Sequence, residues 1–442
     1  MSGTQIAVLV FGGLMVLLAL RVPIGAAMFV AGATGYILLS GGNIATFLIN
    51  LNYLPFARLS NYDLAVIPLF LLMGQFATHG GLSQLLFGFV RAFLGHRRGG
   101  MAMAAVGACA GFGAICGSSL ATAATMGQVA LPELRRYGYS GSLATGALAA
   151  GGTLGIMIPP SVPLIIYAVL TQESIGKLFM AAAVPGLLAM FGYMLVIRII
   201  VAFDPAAGPA GPRASNSERI QALLQVSPVL LVFLVVVVGI YGGWATPTEA
   251  AALGAAACGF LAVTTGGMRL PGLKASVLGT AQTTAMIYLV LLGADMMNHT
   301  LALSQLPVTL AEWAKGSGMP PLTIMLIILL IYIFLGSVMD SLAMILLTIP
   351  IFYPMVMGLD FFSLSPDEKS IWFGILALMV VEIGLVHPPI GMNVYIINRL
   401  AKDVPLTQTF KGVMPFLLSD AIRLILLVFI PGISLFLVRA FH

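Results

Sequence analysis

The sequence predicts an all-α polytopic membrane protein built as an inverted-topology repeat, with two re-entrant helical hairpins and two transmembrane helices broken at Pro-Pro pairs. Three observations predict it. First, 60% of the 442 residues are hydrophobic and only 8% charged, with a mean hydropathy of +1.06, which fits a chain dissolved in lipid rather than water. Second, Gly155-Ile156-Met157-Ile158-Pro159-Pro160-Ser161 lies inside the apolar run 144–170, and Gly384-Leu385-Val386-His387-Pro388-Pro389-Ile390-Gly391 repeats its Gly-x-x-x-Pro-Pro form. Each Pro-Pro pair removes two backbone donors and clashes with the preceding turn, so the helix must break. Unpaired peptide groups in hydrocarbon cost several kcal/mol each, so such a break survives only where it is buried in protein or lines a wet cavity. Third, Gly336 follows Gly117 and Gly293 follows Gly74 by 219 positions, whereas Gly384 follows Gly155 by 229 and Pro415 follows Pro185 by 230. The change in spacing falls in a connecting loop, where insertions are tolerated.

The elements follow in order. Apolar runs at 5–20, 22–40 and 63–78 read as spans, the first as a retained helix because Arg21 follows it and no basic residue precedes it. The half-polar stretch 44–61 reads as re-entrant or interfacial. Residues 82–98 form an amphipathic arm helix, with Leu82, Leu85, Leu86, Phe89, Val90 and Phe93 on one stripe and Arg91, His96, Arg97 and Arg98 beside it. Basic residues bracket 100–136 at both ends, so this segment enters from the cytoplasm and returns, turning at Gly117-Ser118-Ser119. The broken helix 141–170 and a span at 177–200 complete a first repeat, 1–202. A Pro-, Gly- and Ser-rich cytoplasmic linker is read at 203–224. The second repeat, 225–442, carries spans at 225–243, 246–265 and 278–297, an arm helix at 301–315, a hairpin at 320–357, a broken helix at 371–398 and a last span at 412–438. Thr246, Pro247 and Glu249 supply the N-cap, first-turn proline and capping-box acid of the helix at 246–265. The first hairpin has basic ends and the second an acidic loop at 360–369, which sets the halves in opposite orientations.

Composition also excludes. The net charge of +5 sits between apolar runs, as membrane orientation requires, and is no nucleic-acid signal. Cys109, Cys116 and Cys258 lack metal-ligand spacing and read as packing residues. There is no phosphate-binding Gly-x-x-x-x-Gly-Lys-Ser/Thr loop, no His-Glu-x-x-His, and no histidine in the hairpin of Ser118 and Ser119 to activate a nucleophile. An enzyme is not expected, nor any cofactor.

Two hairpin tips and two breaks should converge near the midplane. Carbonyls freed at 152–158 and 381–386, with hydroxyls of Ser118, Ser119, Thr122, Thr153 and Ser337, would make an all-oxygen cage suited to Na⁺, with no buried Lys or Arg needed. The expected sodium set is Gly117, Ser118, Ser119, Thr122, Thr153, Gly155, Ile158 and Pro159 in the first half. In the second it is Gly336, Ser337, Asp340, Glu382, Gly384 and Val386. The half-helices that restart after the breaks point positive N-termini inward and would attract a small carboxylate at Ser119, Pro160, Ser161, Pro389, Gly391 and Asn393. Asp340, ionisable at membrane depth, is read as a coupling or gating group. Asp420 and Arg423 should pair with each other, and Arg58, Asp63 and Asp295 should meet water at interfaces.

These motifs resemble the large membrane subunit of tripartite ATP-independent periplasmic (TRAP) transporters. The resemblance rests on Ile67-Pro68-Leu69-Phe70, Gly117-Ser118-Ser119 with Ala121-Thr122, Arg136-Tyr137-Gly138-Tyr139, and residues 155–161. It continues through residues 245–250, Gly336 with Asp340, and the segment from Phe373-Gly374 to Gly391. It implies a sodium-driven importer of organic acids in the bacterial inner membrane, working as an elevator. It also implies two partners, a periplasmic substrate-binding protein and a small four-helix membrane subunit, with sodium as coupling ion at the hairpin tips and helix breaks.

Overall fold

The structure is a computed structural model that describes residues 2–441, and it is built from α-helices and short 3-10 turns. The first half runs α1 (Gly3–Ala19), α2 (Ile24–Leu39), α3 (Ile44–Leu59), a 3-10 turn at Tyr62–Ala65, α4 (Val66–His79) and α5 (Leu82–Leu94). It continues with α6 (Gly100–Cys116) and α7 (Ser119–Arg136), then α8 (Gly141–Met157), α9 (Val162–Thr171) and α10 (Ile175–Phe203). The second half runs α11 (Asn216–Tyr241), α12 (Pro247–Thr264), α13 (Leu270–Ser304), α14 (Leu306–Gly316), α15 (Pro321–Gly336) and α16 (Ser341–Met357). It ends with α17 (Pro366–Gly384), α18 (Met392–Leu400), α19 (Leu406–Phe429) and α20 (Gly432–Phe441).

Several boundaries follow from named caps. Thr246 accepts from the Glu249 N–H while the Glu249 carboxylate accepts from the Thr246 N–H, closing the capping box that starts α12. The same box at Ser215 and Glu218 starts α11 at Asn216, inside the stretch read as linker from the sequence; two satisfied amides outweigh the disorder-prone composition. Other boundaries also move. Residues 278–304 belong to one 35-residue helix, α13, and the arm α14 begins only after Gln305 turns left-handed at φ +55°. The last span is two helices, because Pro431 stops α19 and α20 restarts at Gly432. The half-polar α3 meets the following helix at a 55° bend.

Packing recombines the halves. α2 lies along α13 and α4 against α12 and α13, with α1 and α11 on the outside of this group. The hairpin α6–α7 packs on α8 and on α18, while the hairpin α15–α16 packs on α17 and, through α16, on α9. Each hairpin therefore touches its own broken helix and the restarted half of the other. α10 and α19 buttress α8 and α17 from behind. The α8–α9 segment is almost wholly enclosed by protein, whereas the long spans α10, α11 and α13 show most of their length to the outside. Six helical segments among the described residues are long and apolar enough to cross a membrane, with α8–α9 counted as one.

Candidate ion and substrate site

The first hairpin turns on Gly117, whose φ of +64° is a left-handed conformation that a side chain would strain. Ser118 then caps α7, its hydroxyl accepting from the Ala121 N–H at 3.4 Å. In the second hairpin α15 runs on to Gly336, and Ser337, Val338 and Met339 cross before Asp340 caps α16. The Asp340 carboxylate accepts from the Leu342 and Ala343 N–H groups at 3.2 and 3.4 Å, so this acid holds a helix end as well as a charge.

Each tip crosses its broken helix at a pair of glycines. A β-carbon on Gly113 would stand 2.5 Å from the Gly155 Cα, and one on Gly384 would stand 2.5 Å from the Gly336 carbonyl carbon. Spacing alone matched Gly336 with Gly117; packing matches it with Gly113, because the crossing and not the turn demands the missing side chain. Both tips also bond to the restarted chain. The Val162 N–H donates to the Gly117 carbonyl and the Gly391 N–H to the Ser337 carbonyl, each at 3.4 Å. Both Pro-Pro bonds, Pro159–Pro160 and Pro388–Pro389, are cis.

The two breaks differ in how their oxygens are used. Pro159 and Pro160 carry no N–H for the Gly155 and Ile156 carbonyls, and no donor among the described residues replaces them. Around this break the Thr122 and Ser161 hydroxyls are fully buried without a hydrogen-bond partner. A β-carbon at Gly155 would meet Thr122 Oγ1 at 2.5 Å and the Ser118 carbonyl oxygen at 2.8 Å, so these oxygens face the glycine directly. Ser119 is buried one residue past the cap, and Ile158 ends α8. At the second break the Gly384 carbonyl accepts from His387 N–H at 3.2 Å and the Leu385 carbonyl from Asn393 N–H at 3.0 Å. The Ser337 hydroxyl donates to the Phe334 carbonyl at 2.7 Å. Val386 is buried, whereas Pro389 and the tip residue Val338 are exposed. Asn393, fully buried, ties the start of α18 to the middle of α8: its Nδ2 reaches the Ala149 carbonyl at 3.4 Å and its Oδ1 has no partner.

The packed helices add contacts that the sequence did not show. Thr153 and Glu382, both in the expected sodium set, are engaged with each other at 2.7 Å, and Glu382 pairs with Arg423 at 3.1 Å. A buried arginine is present after all: Arg423 reaches in from α19 and holds Asp420 as expected, at 2.8 Å, and Glu382 as well. Arg58 and Asp295 form a two-pronged ion pair, with Asp295 buried, rather than meeting water separately. Sequence reading did not single out Tyr193, whose hydroxyl donates to Asp420 at 2.9 Å. The signal was there: Tyr193 and Arg423 share the 230-residue spacing of Pro185 and Pro415.

Comparison with known proteins follows the same line. The family described as the tripartite ATP-independent periplasmic transporter, DctM component, matches residues 11–433. The chain is 36% identical over 406 residues to the C4-dicarboxylate TRAP transporter large permease protein DctM of Pseudomonas aeruginosa, covering 92% of each. It is 32% identical over 386 residues to the sialic acid TRAP transporter large permease protein SiaM of Vibrio cholerae, covering 87% of this chain and 88% of that one. In architecture it is similar to the YdaH transporter of Alcanivorax borkumensis, with a TM-score of 0.62 and 16% identity over 88% of this chain and 89% of that one. With its broken helices, paired hairpins and near full-length match, the chain belongs to the DctM component family of tripartite ATP-independent periplasmic transporters, and is a multi-pass membrane permease and not an enzyme.

Proposed function

We propose that the chain imports a small organic acid across the bacterial inner membrane, driven by sodium and moving its site in an elevator stroke. The observation that carries the sodium reading is the oxygen cluster at the first break. The Gly155 and Ile156 carbonyls lack donors and the unpartnered Thr122 hydroxyl lies against Gly155; together they would give a hard, neutral ligand set for a cation that has shed most of its water. At the second break the Gly336 and Val386 carbonyls would serve, with the Asp340 carboxylate nearby in sequence; the Ser337 and Gly384 carbonyls, which already accept from Gly391 and His387 N–H groups, would join them through their second lone pairs. The N-termini of α9 and α18 supply the pull on a carboxylate. Ser161 makes no cap bond to its own helix, and its hydroxyl is available to substrate together with Asn393, Pro160, Gly391, Pro389 and Ser119. The relatives' substrates, a C4-dicarboxylate and a sialic acid, are both carboxylates. A periplasmic binding protein and a small four-helix membrane subunit complete the reading, which the word tripartite in the family's description supports.

The test is uptake in proteoliposomes with an imposed sodium gradient over a panel of carboxylates. Uptake is expected only when the chain is combined with its small subunit and loaded binding protein, and only with inward sodium. Uptake by the chain alone would assign it to stand-alone ion-coupled anion transport. Uptake indifferent to sodium would overturn the coupling.

A further inference from the structure

Thr153 and Glu382 stand two residues before the crossing glycines Gly155 and Gly384, and they are repeat mates, 229 positions apart. Tyr193 and Arg423 are also repeat mates, 230 apart. All four meet in one buried cluster where α8, α17, α10 and α19 converge. Thr153 Oγ1 lies 2.7 Å from Glu382 Oε1 and 3.3 Å from Tyr193 Oη. Arg423 Nη2 donates to Glu382 Oε2 at 3.1 Å and to Asp420 Oδ1 at 2.8 Å, and Tyr193 Oη donates to Asp420 Oδ2 at 2.9 Å. Arg423 Nη1 reaches the Pro185 carbonyl at 3.4 Å, at the repeat mate of Pro415. Each of the four helices supplies at least one group, and the Thr153–Glu382 contact joins the two broken helices directly.

A buried ion pair is a poor source of stability, since desolvation offsets most of the attraction, and apolar packing would hold these helices as well. What such a cluster does supply is register: a planar guanidinium shared between two carboxylates tolerates little sliding. The helices it joins are the two that carry the breaks, and the two crossings lie within a turn of the contact.

We propose that Thr153, Glu382, Asp420, Arg423 and Tyr193 are positioning residues that clamp the two helix breaks together across the repeat axis, so that ion binding at one break sets the affinity at the other. The proposal rests on the reading of the breaks as sodium sites. It places no cluster side chain on ion or substrate; these residues act through the backbone of Gly155 and Gly384.

The test is a sodium titration of uptake by the complete transporter in proteoliposomes, with Thr153→Val, Glu382→Gln, Tyr193→Phe and Arg423→Lys. Thr153→Val and Glu382→Gln are expected to raise half-saturating sodium about tenfold and bring the Hill coefficient down toward one. Uptake at saturating sodium should stay within about twofold of wild type, and the double variant should be no worse than Glu382→Gln, because both remove one shared link. Tyr193→Phe, the mildest change, should shift sodium dependence in the same direction by less. Arg423→Lys, which keeps the charge but loses the planar fork, should fall between wild type and Glu382→Gln. Loss of maximal uptake with half-saturation and Hill coefficient unchanged would overturn the clamp and leave a merely structural cluster. If wild-type uptake ignores sodium, the sodium reading fails separately, and the clamp is judged by hydrogen exchange in sodium-free protein. Faster exchange of the Val162, Gly391 and Asn393 amides in Thr153→Val and Glu382→Gln would then support it, and unchanged exchange would overturn it.

Discussion

Thr122 concentrates the chemistry of the first break in one atom. Its hydroxyl is buried, points at Gly155 and has no protein partner, a costly arrangement unless something else uses it. Removing it therefore breaks no hydrogen bond within the fold. Thr122→Val should leave thermal stability near wild type. It should raise the sodium concentration for half-maximal uptake by about 10- to 100-fold, the worth of about 1.5–3 kcal/mol for a bond to a charged group. Unchanged sodium dependence would remove Thr122 from the ligand set. The sequence pointed to this residue only as one of several hydroxyls beside the hairpin tips and helix breaks. It could not show that Thr153, equally hydroxylated and equally close to the break, is held by Glu382 instead, since that contact joins positions 229 apart.

The hairpins and broken helices illustrate which parts of an element are written locally. A proline lacks a donor wherever the chain goes, so both breaks fell where the sequence placed them. Capping boxes act over three residues, so that of Thr246 is legible in the chain itself. The crossing glycines were harder. Gly336 was recognised, but its structural counterpart is Gly113, deep in an Ala- and Gly-rich helix where no single glycine stands out. Gly384→Ala tests the crossing. Its methyl would meet backbone atoms of Gly336, at 2.5 Å from the carbonyl carbon and 2.6 Å from the Cα, with no flexible side chain to yield. The expected result is a loss of about 1–3 kcal/mol in stability, seen as a lowered unfolding temperature, together with reduced uptake. Gly88→Ala, which meets nothing within 4 Å, is the control and should change neither.

Taken whole, the molecule divides by packing rather than by repeat. One group is α1, α2, α4 and α11–α13; the other gathers the hairpins, the broken helices, α10 and α19. An elevator stroke requires the second group to slide along the first. Their contact includes Gly74 of α4, where an added β-carbon would stand 3.3 Å from Cys116 Sγ and 3.0 Å from its Cα, so the two helices must part by a few tenths of an ångström before a disulfide can close. In Gly74→Cys, oxidation is expected to stop uptake and reduction to restore it, while the same variant carrying Cys116→Ala stays insensitive to oxidant. Full uptake with the cross-link formed would rule out relative movement at this contact.

Membrane residence, the number and place of the breaks, the cap at Thr246 and the internal repeat were all legible in the linear chain. Each depends on composition, on covalent chemistry or on neighbours within a turn or two. The partners of Glu382, Arg423, Arg58 and Asp295 were not, nor was the inequality of the two breaks, one with unpaired oxygens and the other with its carbonyls already bonded. These contacts join residues up to 238 positions apart, and a buried polar group takes whichever partner the packed helices bring to it. That choice exists only once the helices are assembled.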